Sequence, residues 1–336
     1  MRLALLALGL LLLAGGASAA PTPLTAEALL AANLDAKTVH AVAPGDWWPG
    51  LPSFDSAVFQ SDPQPREAAG MTYQTLDGRL IVETTLYAFR SKSESRRYLL
   101  NAELVGPPVD RAKPAVGDAR GYYVLTLDSS IPATRLFFTL GTIGVAVSLN
   151  GAHWSREQMA ALAQPIDANI RALLAGSLKP PRIATANLPR YSPGNELGTA
   201  AISPEAWAMV DRDGSPKQVR DRLVHSGAKL LFRRYLLSGS STDVIETTLF
   251  TFPKAAQAAS WVQPFESGVK NGLAPGKTGA HSAFRQGRDN YELRFTAGRY
   301  AGDVFCYAPF VLQPSANCEA AVRTTAERWY AQLANR

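Results

Sequence analysis

The sequence predicts an α+β protein made of two tandem ββαββα units, each an antiparallel sheet with helices packed on one face. Three observations predict it. The octapeptide Val82-Glu83-Thr84-Thr85-Leu86-Tyr87-Ala88-Phe89 returns as Ile245-Glu246-Thr247-Thr248-Leu249-Phe250-Thr251-Phe252. Agreement extends past the octapeptide, because Tyr98-Leu99 falls at the same offset as Trp261-Val262, while Tyr73 and Leu76 upstream resemble Phe232 and Tyr235-Leu236. Strand and helix signals then follow in one order in both halves, which is the mark of an internal repeat.

In the first half, strands around Met71–Leu76 and Leu80–Phe89 are joined by Asp77-Gly78, a dipeptide that favours a tight hairpin. Ser91 and Glu94 form a capping box that opens a helix with Tyr98, Leu99 and Ala102 on its apolar face. A Pro/Gly-rich loop from Gly106 to Gly117 leads to strands around Gly121–Leu127 and Leu136–Leu149. A second capping box, Ser155 with Gln158, starts a closing helix whose Met159, Leu162, Ile166, Ile170 and Leu173 keep helical spacing, with Gly176 as its C-cap. The second half repeats this with strands near Lys229–Leu237 and Asp243–Phe252, a helix from Pro253, strands near Asn290–Thr296 and Asp303–Phe310, and a helix from Ala316. There Tyr291, Leu293 and Phe295 alternate with Glu292, Arg294 and Thr296, as in a sheet covered on one face.

The chain has 336 residues, 46% of them hydrophobic, a length that suits two globular domains and a composition that excludes disordered and coiled-coil classes. Residues 1–19 read as a secretory signal: Arg2 is a short positive region, Leu3–Leu13 an apolar core, and Ala17-Ser18-Ala19 an A-x-A cleavage site. The apolar run is shorter than the ~20 residues that span a bilayer, and no later segment approaches that length. The expected organisation is then a first repeat at 20–176, a linker at 177–193 rich in proline, and a second repeat at 194–336. Against 28 acidic residues stand 34 basic ones, a charge of +6 too dispersed to indicate nucleic acid.

The motifs Tyr87-Ala88-Phe89, Gly117-Asp118 and the Gly141–Leu149 strand with its following helix resemble those of extracytoplasmic sensor domains of bacterial receptor kinases and of small envelope lipoproteins. The chain departs from such lipoproteins in lacking an acylated cysteine near the cleavage site. These are packing and turn motifs, so the resemblance implies ligand or partner binding in the envelope and carries over no catalytic residue.

Cys306 and Cys318 are the only cysteines, and an even count in an exported chain reads as a bridge. Cys318 shares a helical face with Val322, Ala326, Trp329 and Leu333 and points toward the sheet carrying Cys306; closing so short a loop is worth roughly 2 to 3 kcal/mol in the chain-entropy model. Glu83 and Glu246 hold the same place in both copies, and paired carboxylates flanking a bond are the equipment of glycoside hydrolysis. The alternative is a pair of rim or ion-paired side chains. Trp47-Trp48 lies in a proline-rich loop where adjacent rings cannot both point into one core, so one ring offers a stacking surface, against the alternative that both cap the first sheet. Arg233-Arg234 ends the densest basic stretch, which begins at Lys217, and would attract an anionic polymer or form a solvated face.

Enzyme signatures fail. The stretch Gly272–Thr278 imitates a phosphate loop but has Asn271 at the first glycine position, there is no G-x-S-x-G or H-E-x-x-H, and the four histidines are scattered. No cofactor or metal is expected. The leading reading is a non-enzymatic exported protein of the periplasm or extracellular space that binds an envelope glycan, an anionic polymer or a protein partner, with Trp47, Trp48, Arg233 and Arg234 as its best contacts. A glycan hydrolase using Glu83 and Glu246, or a structural envelope component, are the alternatives. Signal cleavage after Ala19 is checked by the intact mass of the secreted chain: a mature mass beginning at Ala20 is expected, and retention of Met1 would refute a cleaved leader.

Overall fold

Alternating apolar residues and turn glycines organise the described chain into two six-stranded antiparallel sheets. The computed structural model describes residues 24–336 apart from 44, 55–61, 104–115, 128–130, 153, 184–187, 241, 269–277, 279–280 and 309–313. The leader at 1–19, most of the Gly106–Gly117 loop and most of the phosphate-loop imitation therefore lie outside the described residues.

In the first unit, α1 (Ala26–Ala32) and α2 (Ala36–Val42) precede β1 (Trp47–Pro49), β2 (Glu67–Thr75) and β3 (Ile81–Ala88). After α3 (Lys92–Glu103) come β4 (Ala119–Leu127), β5 (Ile131–Leu140), β6 (Ile143–Asn150) and the closing α4 (Arg156–Leu174). The second unit runs β7 (Gly194–Ile202), α5 (Pro204–Ala208), α6 (Pro216–His225), β8 (Lys229–Leu237), β9 (Val244–Thr251), α7 (Ala255–Gly268), β10 (Ser282–Gln286), β11 (Asn290–Ala297), β12 (Tyr300–Tyr307) and α8 (Ala316–Leu333). Strand order is β1-β2-β3-β6-β5-β4 in one sheet and, read from its β7 edge, β7-β8-β9-β12-β11-β10 in the other. The orders correspond strand for strand. The α+β class and the two similar units are as the sequence predicts, and the Glu-Thr-Thr strands β3 and β9 both hold third place.

Each unit has one strand more on either side of its middle helix than the sequence signals indicate. Gly141, at φ +59°, turns what reads as one long strand into the β5–β6 hairpin, a conformation that strains any residue with a Cβ. The helices also differ in place. Along β3, Val82 and Leu86 join the core under α4, whereas Tyr87 and Phe89 pack against Tyr98 of α3 on the other side. Along β12, Val304 and Cys306 face α8, and Ala301 joins the cluster containing Trp261 of α7. Strand side chains alternate between faces, so each sheet is covered by helices on both. The expected single covered face rested on the Tyr291–Thr296 alternation, whose polar side is in fact buried: Glu292, Arg294 and Thr296 are 7%, 3% and 7% exposed.

The units pack on each other through β1 and its flanks. Trp47 lies in the first unit's core, 6.2 Å from the ring of Trp154, and donates from Nε1 to the Ala43 carbonyl at 2.9 Å. Trp48 points the opposite way, into a cluster with Trp207 and Val219 of the second unit. Both are buried, so the expectation of an exposed stacking ring is corrected; the reasoning that neighbours on a strand cannot share one core holds, but a second core waits on the other side. Phe54, fully buried, sits on β7 where Gly198 leaves room for it, since a Cβ there would fall 2.5 Å from its ring. The Glu27 carboxylate of α1 accepts from the Thr199 amide at 3.2 Å. The proline-rich segment before β7 lies along α8, where Trp329 Nε1 donates to the Tyr191 carbonyl.

Cys306 of β12 and Cys318 of α8 are bridged, with Cα atoms 5.8 Å apart, so the closing helix is tied to the strand it covers. The capping box read at Ser155 is formed in full, and at Ser91 the hydroxyl accepts from the Glu94 amide at 3.1 Å while the Glu94 carboxylate accepts from the Arg90 amide instead of that of Ser91. Replacing Gly198 by Ala should cost about 1–3 kcal/mol by forcing Phe54 from its seat. Urea unfolding should show that loss, and Phe54→Leu in the same chain should recover part of it; an unchanged midpoint for Gly198→Ala would refute the contact.

Candidate functional site

The face of the second sheet away from α8 carries two adjacent rows of side chains set by strand register. One row runs Phe232, Thr248, Asp303, Arg294 across β8, β9, β12 and β11; the next runs Arg234, Glu246, Phe305, Glu292. Above them is a cavity of about 430 Å³, walled by Trp207, Phe232, Phe305 and Tyr307 and floored by Glu246, Thr248, Glu292, Arg294 and Asp303. Leu51 of the first unit and Met209 and Val210 from the loop after α5 complete its apolar rim.

Arg294 anchors the floor, its side chain only 4% exposed. Its Nε donates to Asp303 at 2.6 Å, one terminal nitrogen lies 2.7 Å from Asp213, and the other lies 2.8 Å from Glu292 and 3.5 Å from Asp211. Burial works against its charge, but the carboxylates of Glu292, Asp303, Asp211 and Asp213 outweigh it and hold the guanidinium well above its usual pKa. Above lie the rings of Phe265, 4.6 Å from the guanidinium carbon, and Trp207 at 5.7 Å. Arg285 of β10 adds a second cation, 2.7 Å from Asp213 and 3.5 Å from Glu292.

The acidic partners come from separate elements. Ser203 caps α5 with Pro204 at its first turn, which sets Trp207 so that Nε1 donates to Asp211 at 3.1 Å. Asp211 then accepts from the Asp213 amide at 2.8 Å, turning the loop so that both carboxylates face Arg294. Asp303 is pushed well above the usual carboxylate range, first by burial and then by the Glu292 charge, with Arg294 opposing. Beside this network Glu246 accepts from the Tyr307 hydroxyl at 3.0 Å and lies 3.6 Å from Arg234 Nε, while Arg234 donates to the same hydroxyl at 2.9 Å.

Of the residues singled out in the sequence, Glu246 and Arg234 thus meet at this cavity. Glu83 does not. It is exposed on the α3-bearing face of the first sheet, in register with Thr72 and Ser148, and shares no cavity with Glu246, so the two carboxylates do not flank a common bond. Arg233 points to the other face of β8, paired with Glu196 and lying 5.2 Å from the ring of Tyr235. Neighbouring residues on a strand face opposite ways, so Arg233-Arg234 makes no joint basic patch, and each is ion-paired. Trp47 and Trp48 lie outside the cavity lining. Sequence reasoning missed Asp211, Asp213, Glu292, Arg294 and Asp303; the one signal was the charged side of the β11 alternation. Among the described residues no group of three or more His, Cys, Asp or Glu is arranged to hold a metal ion.

A carboxyl whose folded pKa is raised takes up a proton on folding, so its contribution to stability is full at acid pH and is lost as pH rises through the folded value. The groups facing Asp303 are Glu292 and Arg294 from β11, Thr248 from β9, and Asp211 and Asp213 through Arg294. Asp303→Asn, which keeps the protonated shape, should flatten the fall in melting temperature between mildly acid and neutral pH. Thermal melts across that range check this; a wild-type slope in the variant would mean Asp303 is ionised throughout.

No model of a known protein family matches the chain, and no curated protein matches it in sequence. Among solved structures, the chain is similar to the extracellular domain of PknH from Mycobacterium tuberculosis, with 15% identity over 45% of this chain and 100% of that domain, at a TM-score of 0.35.

Proposed function

We propose that the chain is an exported, non-enzymatic binding module of the cell envelope, with repeats at 20–176 and 194–336 joined through 177–193, and that its ligand site is the cavity over the second sheet. The observation that carries this reading is the cavity itself: about 430 Å³ of aromatic-walled space over a floor of buried, fixed charges. That combination of apolar walls and a few convergent polar groups is what small-molecule sites are made of. Export is supported by the leader-like start and by the Cys306–Cys318 bridge, which persists in oxidising compartments. No helix among the described residues is long and apolar enough to cross a membrane.

The hydrolase alternative loses its paired carboxylates, because Glu83 stands on the other unit away from the cavity. Val210, 44% exposed at the rim, offers a way to close the mouth without disturbing the floor. Titration calorimetry with neutral sugars, acidic sugars, amines and short peptides should find a class that binds the wild type, and Val210→Trp should lose that binding while melting normally. Product release from envelope glycan, abolished by Glu246→Gln, would overturn the module reading in favour of hydrolysis.

A further inference from the structure

We infer that the cavity's ligand is a small organic cation that carries N–H donors, a primary ammonium or guanidinium compound rather than an anionic glycan. The inference deepens the binding reading above and rests on it. It comes from charge balance, wall chemistry and one hydroxyl.

Around the floor, among the described residues, five carboxylates (Asp211, Asp213, Glu246, Glu292 and Asp303) face three guanidinium groups (Arg234, Arg285 and Arg294). Holding one proton on Asp303 reduces the negative excess but leaves it negative. Arg212 also lines the cavity, but it is exposed to solvent at the mouth and is screened there. Buried excess charge is expensive in a low-dielectric site, so a cation entering the cavity relieves an existing cost and an anion adds to it. The walls agree in sign, since Trp207, Phe232, Phe305 and Tyr307 present rings, whose faces attract cations.

Thr248 supplies the independent observation. It stands at the centre of the floor, between Phe232 and Asp303 in the strand register, lines the cavity, and is 2% exposed. Its hydroxyl makes no hydrogen bond among the described residues, whereas the charged groups around it are engaged with one another. A hydroxyl that lines the cavity and meets no protein partner is open to a hydrogen bond from a ligand donor. A quaternary ammonium group has no N–H to give it, which is why the class is restricted to ammonium and guanidinium ions.

The first unit shows that this chemistry is particular to the second. In equivalent register, the row Phe232, Thr248, Asp303, Arg294 is replaced by Gly70, Thr85, Ala146, Phe137. There Tyr98 of α3 fills the face, lying 6.4 Å from Phe137, and Gly144 admits its ring. The two similar units carry the same scaffold, with rings over this row in the first and charged groups in the second, while the adjacent row of the first unit is the polar set Thr72, Glu83, Ser148 and Arg135.

Calorimetric titration of the full-length secreted protein with agmatine, tetramethylammonium, N-acetylglucosamine and galacturonate tests the inference. Agmatine should bind at one site, at least about tenfold more tightly than tetramethylammonium, and Thr248→Val should weaken it about tenfold, the size expected for one hydrogen bond to a charged group. Thermal melts establish that the isosteric variant folds, and saturation-transfer NMR of agmatine gives a second readout of occupancy. If N-acetylglucosamine or galacturonate binds more tightly than agmatine and loses affinity in Val210→Trp, the cation inference is overturned and the module reading stands. If agmatine does not bind, or binds equally well to Thr248→Val, the inference is likewise overturned. If no compound in the wider panel binds and Val210→Trp changes nothing, the module reading falls with it.

Discussion

A guanidinium that is almost wholly buried has to be neutralised where it lies, and the open face of the second unit is organised around that requirement at Arg294. Its carboxylate partners cannot all come from neighbouring strands. Register supplies Asp303 across the β11–β12 pair, and Glu292 lies two residues along the same strand. Asp211 and Asp213 must be delivered from a loop, which is why the short helix α5 matters: its cap and the Trp207–Asp211 hydrogen bond aim that loop at the sheet. Phe265 of α7 then covers the guanidinium carbon and Arg285 together, at 4.6 and 4.4 Å. The cavity lies beside this compensated cluster, with Arg294, Glu292 and Asp303 in its floor and Asp211 in its lining.

The two units show how one scaffold tolerates opposite chemistry. Their shared features lie on the strands and the middle helix: Tyr98 meets Tyr87 at 5.1 Å in one unit, and Trp261 meets Phe250 at 5.2 Å in the other, at equivalent positions. Those ring pairs fix the helix against the sheet without depending on the adjacent rows. Substituting the rows therefore changes what the face can hold while leaving the strand order intact. Trp47 and Trp48 add a second constraint, since adjacent strand positions commit one ring to each unit's side and tie the placement of the cavity rim at Leu51 to the first unit.

The two similar units, the Ser155 capping box and the disulfide were legible because each depends on local spacing. Glu246 was legible for the same reason, being marked by its copy at Glu83. What the copy could not convey is that equivalent residues meet different neighbours: Glu83 faces Thr72 and Ser148, whereas Glu246 faces Arg234 and Phe305. The carboxylates around Arg294 were hidden because they are scattered from Asp211 to Asp303 and converge only through register and one loop. Placing helices on one face failed for a related reason. An alternation of apolar and polar residues reports two faces of different chemistry, and a charged face buried in compensated ion pairs looks in sequence like a solvated one.

The same distinction separates net charge from site charge. A chain of +6 invites an anionic partner, and the densest basic stretch seemed to offer one. Yet its arginines are spent locally: Arg220 on Asp221 and the face of Trp48, Arg222 on the face of Trp261, Arg233 on Glu196, Arg234 on Glu246. Exposed charge of either sign is screened within about 8 Å at physiological salt, so it governs approach more than recognition. Charge fixed beneath a cavity floor is not screened in that way, and it is there that carboxylates outnumber guanidinium groups. What the cavity selects is therefore set by a buried excess opposite in sign to the protein's surface.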